Sequence, residues 1–168
     1  MSAMHFMAQI LHAEARALIG HAEQAMEYLR ALGRAAGKED VALRWVTPSG
    51  LLVQQMYPNT QDKRIRLRYL SDLGLDQQRM ARGLSPNVVH SQDASHMALV
   101  TNHAMSHGVR NLGGIHDCFV TTPAEMKQVR NSVRTTFADL YAASSFDTIV
   151  DQLLSQLSSK SKAKLPPR

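Results

Sequence analysis

Residues 113–121 of the chain read Gly113-Gly114-Ile115-His116-Asp117-Cys118-Phe119-Val120-Thr121. Two short apolar runs, Leu112 to Ile115 and Cys118 to Thr121, flank the pair His116-Asp117, and this pattern predicts a β-hairpin. A tight turn between two strands would present the Asp117 carboxylate outward. Mg²⁺ takes carboxylate oxygens as ligands and keeps several water molecules, so Asp117 is a candidate metal ligand. Aspartate is also common in ordinary surface turns.

The residues after this hairpin predict helices. Thr122-Pro123-Ala124-Glu125 has the spacing of a capping box with proline in the first turn, which predicts a helix start. A last short helix is predicted from Ser145, and residues 158–168 are expected to form a basic, disordered tail. The helix after the capping box would present one apolar face suited to packing on a sheet, formed by Met126, Val129, Val133, Phe137 and Leu140.

The residues before this hairpin predict a long helix, another hairpin and one further helix. Residues 3–33 are rich in Ala, Met and Leu and predict a helix that Gly20 kinks and that Gly33 or Gly37 ends. The fold class is predicted as α+β, with a small antiparallel sheet of hairpins packed with helices. The other segments are strands at 41–47 and 51–57, an extended segment at 63–70, a polar connection at 71–85, and a helix that begins between Pro86 and Asp93 and runs to His107.

Composition and charge narrow the class of protein. The chain has 168 residues and a formal net charge of +5. Residues 41–85 carry seven Lys or Arg against three acidic residues, whereas residues 1–40 carry four against five. A basic middle segment favours contact with a polyanion, and a solvated basic face explains the charge equally well. The single cysteine excludes an internal disulfide and indicates a reducing compartment such as the cytoplasm.

Three arginines alternate along the extended segment, at Arg64, Arg66 and Arg68. In a strand their side chains share one face, about 6.6 Å apart, which is roughly twice the rise per nucleotide along one nucleic-acid strand. Their mutual repulsion favours a nucleic acid opposite them. The alternative is an edge strand whose charges protect it from aggregation.

Polar side chains are concentrated in Val89-His90-Ser91-Gln92-Asp93. These side chains either cap a helix or contact base edges in a minor groove, where acceptors need donors. His90 and Gln92 are the candidates for such a contact. The alternatives stay open on the residues alone.

Two histidine patterns suggest other metal chemistry. His103 and His107 have the spacing of a zinc pair on a helix but lack the intervening glutamate of the metalloprotease motif, so ordinary surface histidines are the favoured interpretation. His116-Asp117 also matches the His-Asp step of a metal phosphohydrolase. That class places the pair on a helix, whereas the residues around it here predict strands.

Several of these motifs together resemble one known family, the single-subunit RNA polymerases of phages and mitochondria. The resemblance implies that residues 1–165 are a C-terminal palm and fingers portion of a DNA-directed RNA polymerase, a nucleotidyltransferase with a right-hand fold that is present here in part. The motifs that carry it are Trp45-Val46-Thr47-Pro48-Ser49-Gly50, Pro86-Asn87-Val88-Val89-His90, the continuation Ser91-Gln92-Asp93-Ala94-Ser95-His96, Ile115-His116-Asp117-Cys118-Phe119 and the capped helix.

The resemblance also implies roles for individual residues. Asp117 would be a catalytic ligand of Mg²⁺, and His116 would lie against the growing RNA end. His90 would touch the minor groove near the newest base pair. The strand from Arg64 to Arg68 resembles one arm of the hairpin that reads promoter DNA. The implied partners are a DNA template, the RNA product and ribonucleoside triphosphates.

Two-metal phosphoryl transfer needs carboxylates from two strands. The resemblance implies that the second carboxylate comes from an upstream motif, on an N-terminal polymerase piece. No other Asp or Glu of the chain lies in a comparable predicted strand. The chain is therefore expected to be truncated relative to the family and inactive alone. The alternatives are a split-polymerase subunit and a non-catalytic nucleic-acid-binding remnant. A phage origin would place the chain in the cytoplasm of a bacterial host, and a mitochondrial origin is disfavoured.

Overall fold

The computed structural model of the chain describes residues 3–62, 68–115, 117–142 and 145–167. These residues form helices and three antiparallel two-stranded sheets, which confirms the predicted α+β class. The elements are α1 Ala3–Leu18, α2 Gly20–Lys38, β1 Leu43–Val46, β2 Leu52–Gln55, β3 Pro58–Asp62, β4 Arg68–Leu75, α3 Gln77–Ser106, β5 Leu112–Ile115, β6 Cys118–Thr121, α4 Met126–Ala142, α5 Ser145–Ser155 and α6 Ser159–Lys162.

The main core is formed by α2, β1, the first half of α3 and α5. Leu32, Trp45 and Leu84 are among its fully buried side chains. A smaller cluster around Ala104 and Val129 joins the end of α3 to α4. Strands β5 and β6 pack against this smaller cluster, so the hairpin with the candidate metal ligand is held mainly by the second half of α3 and by α4.

Helices α2 and α3 approach each other closely at two glycines of α2. A Cβ on Gly33 would lie 2.5 Å from the Met80 carbonyl oxygen, and a Cβ on Gly37 would lie 2.7 Å from the Cα of Gln77. Both glycines lie inside α2, which continues to Lys38. Gly33 therefore does not end the helix, whereas the predicted end at Gly37 lies within one residue of the observed end at Lys38. A close contact between two helices requires glycine just as a helix end does.

Helix α3 begins at Gln77, well before the predicted start between Pro86 and Asp93. The Asp76 carboxylate caps the helix by accepting hydrogen bonds from two amides of the first turn, at 2.9 and 3.0 Å. Pro86 lies inside the helix and removes one backbone hydrogen bond. The first turns persist because they bury apolar side chains such as Met80 in the main core, a tertiary contribution that the local sequence does not show.

Strands β3 and β4 form a second hairpin, tied to the end of α2. Asp40 follows α2 with a positive φ of 57°, and its carboxylate accepts a 2.7 Å hydrogen bond from the amide of Leu75. The polar connection predicted for residues 71–85 is thus wrong, because these residues complete β4 and begin α3. Pro58 begins β3. Residues 63–67 lie outside the described residues.

Strands β1 and β2 form the hairpin predicted for residues 41–57, and side chains from the α5 region cover one edge of it. Gln152 Oε1 accepts a 2.7 Å hydrogen bond from the amide of Val46, and Gln156 Oε1 accepts a 2.9 Å bond from the amide of Arg44. The Nε2 groups of the two glutamines donate to the carbonyls of the same strand residues, at 3.2 and 2.6 Å. The side-chain amides of Gln152 and Gln156 thus bond to the backbone groups of β1 that a neighbouring strand would otherwise pair.

Helix α4 begins at Met126, slightly later than the capping motif predicts. Of the predicted apolar face, Val129 and Leu140 are buried, whereas Met126 and Phe137 are 53% and 52% exposed. The buried face includes the polar Ser132 instead, which bonds to a histidine of α3. The helix packs mainly against α3 and not on a broad sheet, so its buried face is rotated from the predicted one.

The last short helix is confirmed as α5, and the chain after it has a defined place in the structure, in contrast to the disordered tail expected from residue 158. The amide and hydroxyl of Ser158 both donate to the Glu39 carboxylate at the end of α2. These bonds hold the pKa of Glu39 below its usual value. Leu165 packs against the main core, so an apolar contact and charge-assisted hydrogen bonds both fasten this segment.

Helix α1 meets α2 at Ile19, where the predicted kink at Gly20 interrupts the long helix. Large apolar side chains of α1 are exposed to solvent, and Met4 and Leu18 retain 82% and 86% of their accessible surface. Among the residues that the structure describes, no helix combines the length and apolar character needed to cross a membrane.

Candidate functional site

The candidate site is the tip of the β5–β6 hairpin. The register pairs Leu112 with Thr121 and Ile115 with Cys118, so the strands are joined at residues 116 and 117 as predicted. Asp117 is exposed at this connection. His116, the other predicted catalytic residue, lies outside the described residues.

Helix α3 supports the hairpin from one side. Met97 Sδ lies 3.7 Å from the position that a Cβ on Gly114 would occupy, so β5 runs in contact with the helix. Phe119, opposite Gly114 in the register, packs on the smaller core cluster. Beyond this contact the tip stands clear of the core, and Ile115 is 71% exposed. The hairpin is anchored at its base and open at its tip.

Glu125 fastens the base of the hairpin from the start of α4. Its carboxylate accepts hydrogen bonds from the amide of Arg110 at 2.9 Å, from the hydroxyl of Thr122 at 3.1 Å and from Asn111 at 3.3 Å. The Arg110 bond, supported by those of Thr122 and Asn111, holds the pKa of Glu125 below its usual value. The motif read as a capping box thus serves another purpose, because its carboxylate binds the chain that enters β5.

The Asp117 carboxylate, the predicted metal ligand, is exposed and has few described hydrogen-bond partners. Its described hydrogen-bond donor is the Cys118 thiol, whose Sγ lies 3.7 Å from Oδ1, and a thiol is a weak donor. An exposed carboxylate with so little competition suits Mg²⁺, which binds through one or two carboxylates together with water and substrate phosphates. Among the described residues, no three His, Cys, Asp or Glu side chains are grouped to hold a metal. A metal site at Asp117 would therefore need ligands besides the described side chains around it.

Two polar motifs that are far apart in sequence meet on the inner face of α3. The indole Nε1 of Trp45 donates a 3.0 Å hydrogen bond to Ser91 Oγ, and Ser49 Oγ donates a 2.9 Å bond to Ser95 Oγ. Ser91 and Ser95 are buried. The two serines therefore fix the β1–β2 hairpin on α3, a structural role that the sequence analysis did not predict. A signal for it was their spacing, since residues four apart share one helix face.

His90 and Gln92, the predicted nucleic-acid contacts on α3, lie on different faces. His90 is exposed, whereas Gln92 is only 5% exposed, which gives no support to a direct contact for Gln92. Met97 lies seven residues beyond His90, about 10 Å along the same side of the helix. Since Met97 also touches the hairpin at Gly114, the side of α3 that presents His90 is the side on which the hairpin lies.

The three predicted arginines belong to the region of the β3–β4 hairpin. Arg64 and Arg66 lie outside the described residues. Arg68 begins β4 and pairs with Asp62 in the register. This hairpin is a separate sheet from β5–β6. The shared arginine face remains a prediction.

His103 and His107 stack on each other at the end of α3, with ring centroids 4.2 Å apart. His103 Nδ1 is 3.0 Å from Ser132 Oγ, and His107 Nδ1 is 2.7 Å from the carbonyl oxygen of His103. One ring thus links α3 to α4 and the other caps the carboxyl end of α3. These contacts give both histidines a structural role.

Comparison with known proteins gives the family. The family model described as DNA-dependent RNA polymerase matches residues 1–166. The chain belongs to this RNA polymerase family. The DNA-directed RNA polymerase of Pseudomonas phage phiKMV is 31% identical over an alignment of 146 positions, which covers 82% of this chain and 18% of that polymerase. T7 RNA polymerase of Escherichia phage T7 is 30% identical over an alignment of 179 positions, gaps included, which covers 88% of this chain and 20% of that enzyme.

Organellar members of the RNA polymerase family are also similar to the chain. The chloroplastic DNA-directed RNA polymerase 3 of Nicotiana sylvestris is 27% identical over 170 residues, covering 97% of this chain and 17% of that polymerase. The chain therefore spans about a fifth or less of the length of these relatives. The family resemblance inferred from the sequence motifs is confirmed.

Proposed function

We propose that the chain supplies one metal-binding carboxylate, Asp117, for template-directed ribonucleotidyl transfer by a DNA-directed RNA polymerase. The observation that carries the proposal is the exposed carboxylate at the tip of the β5–β6 hairpin, in a chain that belongs to this family. Residues 1–165 would act as a C-terminal palm and fingers portion. The substrates would be ribonucleoside triphosphates on a DNA template, and the phage relatives favour the cytoplasm of a bacterial host.

In the proposed ribonucleotidyl transfer, the residues of the chain would have different roles. When bound, Mg²⁺ would neutralise the charge that develops on the transferred phosphate. Asp117 would hold the ion through carboxylate oxygens that meet only a weak thiol donor in the described structure. Met97 and Glu125 would keep the hairpin in place against α3 and α4. By family resemblance, His116 would lie against the growing RNA end and His90 in the minor groove beside the newest base pair.

The exposed apolar side chains of α1 favour packing against another protein. The proposed candidate for that protein is an N-terminal polymerase piece. A helix with many exposed large apolar side chains is typical of a surface that packs against further protein. Such a piece would also bring the second carboxylate of the metal site. Alone, the chain would bind nucleic acid without polymerising. The exposed apolar residues of α1 include Met4, Phe6, Met7, Ile10, Leu11 and Leu18.

Metal binding at Asp117 can be measured on the chain itself. Mn²⁺, a paramagnetic substitute for Mg²⁺, should broaden the amide NMR signals of Ile115, Cys118 and Phe119 at the lowest metal concentrations. Asp117→Asn should remove this broadening, and Asp139→Asn, which changes an exposed aspartate of α4, should leave it intact. Equal broadening near all exposed carboxylates would contradict a site at the hairpin.

Catalysis requires a reconstituted assay. The chain would be mixed with the N-terminal portion of a phage relative, on a DNA template with labelled ribonucleotides. Synthesis that Asp117→Ala abolishes and Asp139→Ala preserves would support the proposal. RNA synthesis by the chain alone would overturn the need for a second piece, and binding without synthesis in the mixture would favour the non-catalytic alternative.

A further inference from the structure

A groove of about 690 Å³ lies between α2 and α3, on residues to which neither the motifs nor the family resemblance assigns a role. The close contacts of Gly33 with Met80 and of Gly37 with Gln77 bring the two helices together beneath it. Ala81, which is 5% exposed, lines the groove between them. Backbone-to-backbone packing therefore fixes the distance between the two walls.

The walls of this groove carry three arginines. Arg30 and Arg34 project from α2, Arg82 projects from α3, and all three are exposed. Within the part of the chain that the structure describes, none of the three forms an ion pair. Gln77 and Gln78 add polar side chains to the α3 wall.

Asp76, the acidic residue nearest in sequence to the α3 wall, already has hydrogen-bond and ion-pair partners. Asp76 accepts two amide hydrogen bonds as the cap of α3, and its other oxygen lies 3.5 Å from Nε of Arg79. The charges of Asp76 and Arg79 cancel each other, so this pair does not neutralise the positive charge of the groove arginines. The described residues that line the groove thus include three arginines and no carboxylate, an arrangement that favours an anionic ligand.

We propose that this groove, formed by Arg30, Arg34 and Arg82, binds the phosphodiester backbone of a nucleic-acid strand. Arg30 and Arg34 are separated by about 6 Å along α2, roughly the rise of two nucleotides along one strand. Guanidinium groups match phosphate geometry through paired N–H donors. The groove is open to solvent and not an enclosed cavity, which suits a chain of phosphates better than a single enclosed anion. Because the contacts are to phosphates, binding is independent of base sequence.

This inference rests on the proposed function only in that the chain contacts nucleic acid. It does not require Asp117 or a metal ion. The two proposals therefore fail separately, since one is measured by Mn²⁺ at the hairpin and the other by metal-free strand binding at the groove.

The test uses the full 168-residue chain and a fluorescent single-stranded oligothymidylate of 20 nucleotides, followed by anisotropy without divalent metal. The triple variant Arg30→Ala, Arg34→Ala, Arg82→Ala should bind at least 10-fold more weakly. Its dependence of log K on log salt should be shallower by about 2, since each phosphate contact on a single strand contributes roughly 0.7.

The matched control is Arg110→Ala, Arg130→Ala, Arg134→Ala, which removes the same charge from exposed positions elsewhere. Its affinity should fall by less than threefold. An equal loss in both triple variants, or a wild-type chain that does not bind at low salt, would overturn the proposal. So would equally strong competition by a polyglutamate peptide, which would indicate an acidic protein ligand.

A second measurement uses the wild-type chain, so its result does not depend on whether the triple variant folds. In NMR spectra of the wild-type chain, added oligothymidylate should shift amide signals of residues 30–34 and 78–82 more than those of α4. Shifts confined to other regions would refute the groove. Asp117→Asn should show the same shifts as the wild type, which separates this result from the outcome of the metal experiment.

Discussion

The indole nitrogen of Trp45 donates a 3.0 Å hydrogen bond to the hydroxyl of Ser91, and both side chains are buried. Ser91 in turn donates a 2.7 Å bond to the carbonyl of Val88 in the preceding helical turn. The serine hydroxyl thus connects the β1–β2 hairpin to α3. Two motifs that pointed to an RNA polymerase are joined by this bond, since Trp45 belongs to one and Ser91 to the other.

Ser91→Ala should destabilise the fold by about 1–3 kcal/mol, because it leaves the buried indole N–H of Trp45 without its acceptor. Urea unfolding followed by circular dichroism measures the change. Ser155→Ala is the matched control, since that hydroxyl is exposed and bonds only within its own helical region, and its effect should stay within about 0.5 kcal/mol. Equal effects of the two substitutions would contradict a structural role for the Trp45–Ser91 bond.

The two confirmed hairpins could be predicted because their signals are local. Apolar runs beside the Pro48-Ser49-Gly50 turn predict β1 and β2, and runs beside Asp117 predict β5 and β6. The start of α3 could not be predicted in this way. Pro86 and the polar residues before it argue against a helix locally, and burial of Met80 against α2 outweighs that preference.

Gly33→Ala should destabilise the chain by about 1–3 kcal/mol, because the new methyl group would lie 2.5 Å from the Met80 carbonyl oxygen and force the helices apart. Gly20→Ala is the control within the same helix, where a Cβ meets nothing within 4 Å. That change should be neutral or stabilising by up to about 1 kcal/mol. Thermal unfolding of both variants measures the difference, and similar melting temperatures would show that α2 and α3 tolerate separation.

The candidate site was predicted in part, for physical reasons that differ between residues. The exposed turn that holds Asp117 could be predicted because a turn between two strands is visible in the sequence. The arginine groove was missed because Arg30 and Arg34 lie in a segment with a net charge of −1, four basic against five acidic residues, and Arg82 lies 48 positions after Arg34. Their charges are brought together only by the packing of α2 on α3.

Gln156→Ala should weaken the attachment of α5 to β1 by about 1 kcal/mol, because two hydrogen bonds to the Arg44 backbone are lost at an exposed edge. Hydrogen exchange of the Arg44 amide should accelerate in this variant, since the Gln156 oxygen is its acceptor. Gln128→Ala, at an exposed position of α4, should leave that exchange rate unchanged. An unchanged rate in Gln156→Ala would show that another group protects the strand edge.

The base of the β5–β6 hairpin should loosen in acid, because Glu125 binds the Arg110 amide through its carboxylate. Its folded pKa is lowered, so the ionised form stabilises the hairpin above the usual glutamate pKa, and that contribution is lost as pH falls from about 4.3 through the folded pKa. The amides of Arg110 and Asn111 should therefore exchange faster below this range. Glu39 also has a lowered pKa, so these local amides, and not global unfolding, give the decisive measurement. In Glu125→Gln the acceptor cannot titrate, and the acid-dependent change should disappear. If it persists there, a different group controls the hairpin that presents Asp117.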